Sequence, residues 1–229
     1  KAIITEIVPC LRILKPENAR NITDLSYFHV NYVMKKTNKK IKDEIIIAKR
    51  FCHAQKVYGA ESYVKGFSGY ALELLVIHYK TFKKFLEESV KAKEKIIIDD
   101  GKHYKNKEEL MKEMNPSKTQ SPVVVVDPTF KERNVASSLS NKTFKKFQRV
   151  AEAFLKTPNE EDFEYKEPDI GYMRRRAMET KGIFAVFEIK TGKQPGDIAG
   201  TKLLKFSRFL YNEIKNNFEI VIADFEYLE

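Results

Sequence analysis

Three kinds of side chain in this sequence stand where they could do chemistry: imidazoles, arginines in short runs, and aromatics at turns. His29 follows Tyr27-Phe28, which puts a ring nitrogen beside aromatic faces, close to a stretch rich in lysine and arginine. Such an imidazole could hydrogen-bond a base or a phosphate; an ordinary histidine on a helix face is the other reading. Tyr58 lies in the turn Val57-Tyr58-Gly59-Ala60-Glu61, where a phenol could stack on a base or a sugar, or cover a core. Arg133-Asn134 reads as loop and offers fork-shaped donors suited to phosphates or base edges. Arg174, Arg175 and Arg176 could contact a phosphate backbone, or form a solvated helix face. His78 falls among apolar helix residues and reads as packing, and His103 lies in a polar loop and reads as solvated. Asp127, between an apolar run and Pro128, reads as a turn former.

Several other chemistries find no pattern. There is no Ser-His-Asp order, no nucleotide-binding GxGxxG and no P-loop, and neither CxxC nor HxxxH spacing supports a structural zinc site. Two cysteines, Cys10 and Cys52, are too few for a disulfide framework, which points to a reducing, cytoplasmic compartment. No apolar run approaches the ~18 residues of a membrane span. The chain has 229 residues and begins at Lys1 without a methionine, which reads as part of a longer protein.

The net charge is +10, from 42 Lys+Arg against 32 Asp+Glu. It is uneven. Residues 1–60 carry 12 basic and 5 acidic side chains, a balance of +7, whereas residues 181–229 balance at 7 and 7. A polyanion rewards such a concentration by counterion release, so nucleic acid is the leading partner class. The competing reading is a lysine-rich proteome with lysine on every solvated face.

The elements that must position these residues follow from periodicity and capping. Residues 2–14 read as a strand, bent or at an edge at Pro9. Thr23 or Asp24 caps a helix reaching about Lys36, and 43–55 gives a second helix. Ser68 caps the clearest helix, Gly69–Tyr79, with Leu72, Leu75, Val76 and Tyr79 at core spacing. Thr81 caps a basic amphipathic helix to about Lys93. Ile96–Ile98 and residues 123–126 are short strands flanking a polar segment with a helix over 107–114. Ser140 or Asn141 opens a helix through Phe154, stopped at Thr157-Pro158-Asn159. The acidic run 160–164 with Pro168 is the best linker. Asp169 caps a helix bearing the three arginines, and the remainder reads as strand 183–190, helix 197–216 and strand 218–226. The expected class is α+β, a largely helical domain with short strands followed by a small β-α-β unit.

Lys65-Gly66-Phe67-Ser68-Gly69-Tyr70 with Leu72-Glu73-Leu74-Leu75 resembles the archaeal, class I, CCA-adding enzymes, the tRNA nucleotidyltransferases. Glu6-Ile7-Val8-Pro9-Cys10, Asp24 to Phe28-His29, the Tyr58 turn, and Val126-Asp127-Pro128 with Arg133-Asn134-Val135-Ala136 match in the same order, across most of residues 1–155. The resemblance implies a division into the last strand of an otherwise absent nucleotidyltransferase head (1–15), a neck and body (16–160) and an incomplete tail (161–229). It implies addition of C, C and A to tRNA 3′ ends from CTP and ATP through two Mg²⁺ ions held by carboxylates. One carboxylate position falls in this chain, at Glu6, where the family pattern has Asp; the paired acids of the Gly-Ser motif would precede Lys1. By resemblance His29 contacts the incoming nucleotide, Lys49 the triphosphate and Tyr58 a sugar or phosphate. Arg133 helps select the base. Partners are then the acceptor and T arms of tRNA, CTP and ATP, with a homodimer open and no membrane. A non-catalytic RNA-binding module of the same descent and a poly(A) polymerase-type enzyme are the rival readings.

Overall fold

The computed structural model describes residues 7–190 and 196–227. Eight α-helices and three strands appear among them: α1 (Ser26–Lys36), α2 (Lys39–Ala54), α3 (Gly69–Tyr79), α4 (Phe82–Lys91), β1 (Ile96–Ile98), α5 (Lys107–Glu113), β2 (Val123–Asp127), β3 (Phe130–Asn134), α6 (Asn141–Lys156), α7 (Ile170–Glu179) and α8 (Gly196–Lys215). The α+β class expected from the sequence is the class observed.

Helices α2, α3, α4 and α6 enclose one core. Phe51, Phe67, Phe85 and Phe147 are fully buried, each contributing about 1.5–3 kcal/mol over an exposed position. Phe67 and Phe85 meet Phe147 with ring centroids 5.0 and 5.2 Å apart. The helices begin where the capping residues dictate. Ser68, Thr81 and Ser140 each accept a hydrogen bond from the backbone N–H three residues on. Asn21, not Thr23 or Asp24, is the cap before α1, and Asp24 completes the reciprocal box. Asp24 also accepts from the Leu11 and Arg20 N–H groups, and the Leu11 bond chiefly holds its carboxyl below the usual range. The approach to α1 is thereby tied down.

The sheet has the order β1-β2-β3, with β1 parallel and β3 antiparallel to β2. All of β2 is buried because its alternate residues serve two cores. Val123 and Val125 face the main core, while Val124 and Val126 pack with Leu110 and Met114 around α5. That is why its valines run without polar alternation. β3 was read as loop, because Lys131-Glu132-Arg133 hides any apolar alternation. It forms as the outer arm of a tight hairpin across Pro128-Thr129.

Two further expectations are corrected. Residues 183–190 and 218–226, read as strands, form none, and neither does the described part of 2–14. Strands exist by pairing, and these segments find no ladder among the described residues. Ile183, Phe187, Phe218 and Val221 stay exposed. The β-α-β unit is therefore α8 between two unpaired extended segments. The acidic segment 160–164 is docked: Phe163 packs on the main core, and Arg50 and Gln55 donate to the Phe163 and Asp162 carbonyls. Among the described residues no helix is long and apolar enough to cross a membrane.

Candidate functional site

Helix α1 carries Tyr27, Val30 and Met34 on an exposed face, and its one buried residue is polar: His29. The ring is pressed against Tyr70 of α3, with centroids 4.0 Å apart and planes 22° from parallel. Its Nε2 lies 3.0 Å from Oδ2 of Asp127, the last residue of β2, and 3.0 Å from Nη1 of Arg133 on β3. Arg133 Nη1 is itself 3.1 Å from Asp127 Oδ2, and its guanidinium sits 5.9 Å from the Tyr70 ring centre.

Asp127 organises this group. The ladder between β2 and β3 shifts register at Val126/Asp127, which re-aims the strand end. Its Oδ1 accepts from the Thr129 N–H at 2.9 Å, the Thr129 hydroxyl at 2.7 Å and the Tyr70 hydroxyl at 3.3 Å. Burial by itself would raise this carboxyl, but the bonds from His29 and Thr129 outweigh it and hold it below its ordinary range. Burial chiefly, and then the neighbouring carboxylate, push the Tyr70 phenol up, so it stays a neutral donor. Next to Arg133, Asn134 is spent inside the fold: Oδ1 accepts from the Val125 and Ala136 N–H groups, and Nδ2 donates to the Lys118 and Val123 carbonyls. It clamps the strand that presents Arg133 and is no ligand donor.

A second group stands at the start of α3. Lys49 of α2 donates to Glu73 at 2.6 Å. Tyr58 is half-buried in a turn held by paired backbone bonds between Val57 or Gly59 and Gly66 or Phe67. Lys56 and Lys65, with φ of 54° and 53°, bracket this turn, a left-handed geometry that costs a lysine about 1 kcal/mol each. Gly69 lets the two side chains close in: a Cβ there would fall 3.0 Å from the Tyr58 hydroxyl and 3.7 Å from Lys49 Nζ. Tyr70 and Glu73, three residues apart, share one face of α3, so the two groups adjoin across its first turn. The N-terminus of α3 favours an anion there, with the Lys49 ammonium close by and paired to Glu73.

The structure thus brings His29 and Arg133 together, and Lys49 with Tyr58 beside them. It does not bring in the arginine run. Arg174 and Arg175 are exposed on α7, Arg176 pairs with Glu179 at 2.9 Å, and Arg174 lies over Phe184. Successive helical residues point about 100° apart, so the three cannot share a face. Glu6 lies outside the described residues. His103 Nε2 donates to the Pro128 carbonyl, 3.2 Å away, and half-buried His78 pairs with Asp100 at 2.8 Å. Asp127, Tyr70 and Glu73 went unrecognised as site residues. Asp127 had a signal: a carboxylate ending an all-buried strand must find donors.

Residues 43–164 match the family model for the second domain of tRNA nucleotidyltransferases. The CCA-adding enzyme of Nanoarchaeum equitans is 36% identical over 212 residues, 93% of this chain and 50% of that protein. That of Saccharolobus solfataricus is 39% identical over 158 residues (69% and 35%), and that of Methanoregula boonei 32% over 167 residues (73% and 34%). The chain spans about half the length of the first of these relatives and about a third of the other two. The matched segment contains Lys49, Tyr58, Tyr70, Asp127 and Arg133, and with these relatives it places the chain in the archaeal CCA-adding family of tRNA nucleotidyltransferases.

Proposed function

We propose that this chain supplies the nucleotide pocket and part of the RNA grip of an enzyme that adds C, C and A to tRNA 3′ ends from CTP and ATP. The observation that carries the reading is the convergence of His29, Arg133, Lys49 and Tyr58 on the first turn of α3. Lys49 and the positive end of α3 receive the triphosphate; the strong ammonium–phosphate attraction suits a point charge. Tyr58 lies against the sugar or a phosphate. His29 and Arg133, stiffened by Asp127 and Tyr70, meet the base. The basic first quarter of the chain and the exposed arginines Arg174 and Arg175 approach the RNA backbone, with Arg176 beside them, in a cytoplasmic enzyme.

The described residues do not fit a magnesium site, because no three His, Cys, Asp or Glu side chains gather among them. Asp127 is spent on five hydrogen bonds. Glu6 is the one position here that the resemblance gives to a metal, and no step is routed through it.

The test is incorporation of labelled CTP and ATP into tRNA lacking its CCA end by the full-length protein. Addition of C, C and A is expected, and addition of neither nucleotide overturns the reading. Within it, Lys49→Ala should raise the nucleotide KM about 10- to 100-fold, the worth of one charged hydrogen bond, and leave tRNA affinity nearly unchanged. Equal weakening of both would remove Lys49 from the pocket.

A further inference from the structure

Two neighbouring helices carry lysine and arginine on their solvent faces and treat that charge differently. On α4 the cations are answered at helical spacing: Lys83 lies 3.9 Å from Glu87, and Lys84 and Lys91 lie 3.0 and 3.1 Å from Glu88. On α6 they are not. Lys142, Lys145, Lys146 and Arg149 fall within an arc of about 100° on the helix, opposite the buried Phe144, Phe147 and Ala151. Among the described residues none of the four meets a carboxylate at ion-pair distance, and the acid beside them, Glu152, is taken by Lys156 at 2.6 Å.

The place of this face in the fold is as telling as its charge. Gln148 donates to the Ser89 and Ala92 carbonyls, which joins α6 to the end of α4 and leaves an open groove beside Val90, lined by Lys142, Lys145 and Arg149. At its other end α6 is bound to the turn that carries Tyr58. The Ser140 N–H donates to the Lys65 carbonyl, and the Thr143 hydroxyl donates to the Val64 carbonyl. Lys146 is half-buried, and its ammonium is held below the usual lysine range. Burial is the first cause and Lys56 the second; Arg149 and Lys142 add to them, and Asp224 pulls the other way. Like charges thus gather on α6 with little relief from the protein itself.

We propose that this face of α6 receives the phosphate backbone of the paired stem of the RNA substrate, with Lys142, Lys145 and Arg149 each meeting one phosphate. This rests on the reading of the chain as part of a tRNA-acting enzyme. Steps of three and four residues set successive cations about 5–6 Å apart along the helix. From Lys142 to Arg149 α6 rises about 10 Å, room for three phosphates of one strand. A paired RNA stem offers phosphates and 2′-hydroxyls rather than readable base edges, so charges on flexible stems suit it. Because α6 sets out from the Tyr58 turn, the surface begins beside the nucleotide pocket and leads away from it, as the strand behind a 3′ end must. It grips without reading sequence. The α4 lysines, equally numerous but already neutralised, contribute little.

The experiment measures the affinity of the full-length protein for tRNA lacking its CCA end over a range of salt, with nucleotide addition by the wild type followed in parallel. Lys142→Gln, Lys145→Gln and Arg149→Gln together should lower the slope of log affinity against log salt by about 3, one for each lost phosphate contact. Lys83→Gln, Lys84→Gln and Lys91→Gln together, on α4, should lower it by less than about 1. In the wild type, bound tRNA should shield Lys142 and Lys145 from chemical acetylation more than Lys83 and Lys84, a readout that needs no variant to fold. The proposal is overturned by an unchanged slope in the folded α6 variant or by an equal drop from the α4 variant. Equal acetylation of Lys142 and Lys145 with and without tRNA overturns it as well. A wild type that binds tRNA but adds neither C nor A overturns instead the enzyme reading on which the proposal rests.

Discussion

Two stretches of the chain, a body of residues 39–156 and a tail of the described residues 165–190 and 196–227, treat aromatic side chains in opposite ways. In the body Phe51, Phe67, Phe85 and Phe147 are fully enclosed and stack edge and face upon one another. In the tail Phe187, Phe206, Phe209 and Phe218 remain exposed, and among its described residues Ala199 and Gly200 are the buried ones. The body also buries the Asp127 carboxylate with hydrogen-bond donors on both oxygens, whereas the tail meets the body through a narrow seam. Ser62 donates twice to Asp197, Lys56 Nζ lies 3.8 Å from Glu226 Oε1 and 5.1 Å from the centre of the Tyr165 ring, and Tyr63 and Tyr227 enclose Gly200. The difference follows from the tasks proposed above. A pocket that reads a base must hold donors to within a fraction of an ångström, which a dense core can enforce. A surface that follows an RNA backbone needs charge and reach.

The largest effect should come from the core. Phe147→Ala should cost about 3–5 kcal/mol in denaturant unfolding of the body, whereas Phe209→Ala on exposed α8 should cost under about 0.5 kcal/mol. Equal losses would erase the contrast. Next is the seam. A Cβ at Gly200 would fall 2.5 Å from the Tyr63 ring, so Gly200→Val should weaken tail docking by about 1–3 kcal/mol. Hydrogen exchange of the Ser62 and Gly196 amides should speed up while the β2 amides stay protected; faster exchange in β2 would mean that tail and body form one cooperative unit. The smallest effects are in pH. Asp127 is depressed, so its contribution is present above the ordinary carboxylate range and fades as pH falls through its lowered folded value. Tyr165, hydrogen-bonded to Glu226, is pushed up to about 12, so its contribution is full below the ordinary tyrosine range and fades as pH rises toward 12. Proteolysis across pH should therefore open the body in acid and free the segment around Glu226 from Tyr165, within the tail, in alkali; the reverse order would contradict the assignment.

Legibility in the sequence follows the same division. Where side-chain caps and apolar spacing agree, the helices were readable nearly to the residue: Gly69–Tyr79 after Ser68, and Asn141–Lys156 after Ser140. β3 was not readable, because charged residues fill its exposed positions and its partner strand lies in a hairpin the sequence marks only with Pro128-Thr129. In the tail, Ile183, Val186 and Phe187 have strand-like composition, but composition does not supply a neighbour to pair with. Of the site, His29, Lys49, Tyr58 and Arg133 were named beforehand, all four with weight from the resemblance and Lys49 from it alone. Their meeting was not foreseeable from spacing, since 104 residues separate His29 from Arg133. Asp127 looked like a turn former and is one, through Thr129; its second oxygen does the rest, and that depends on a helix far away in sequence.

The most direct test of the division is a paired measurement on the full-length protein, comparing Arg133→Ala in the body with Arg175→Ala in the tail. Each variant is read by its KM for CTP and by the salt dependence of its tRNA affinity. Arg133→Ala should raise the CTP KM about tenfold or more and leave the tRNA salt slope unchanged. Arg175→Ala should leave the CTP KM alone and lower the slope by about 1, the signature of one lost phosphate contact. A rise in CTP KM from Arg175→Ala, or equal loss of CTP and tRNA binding from Arg133→Ala, would contradict the account.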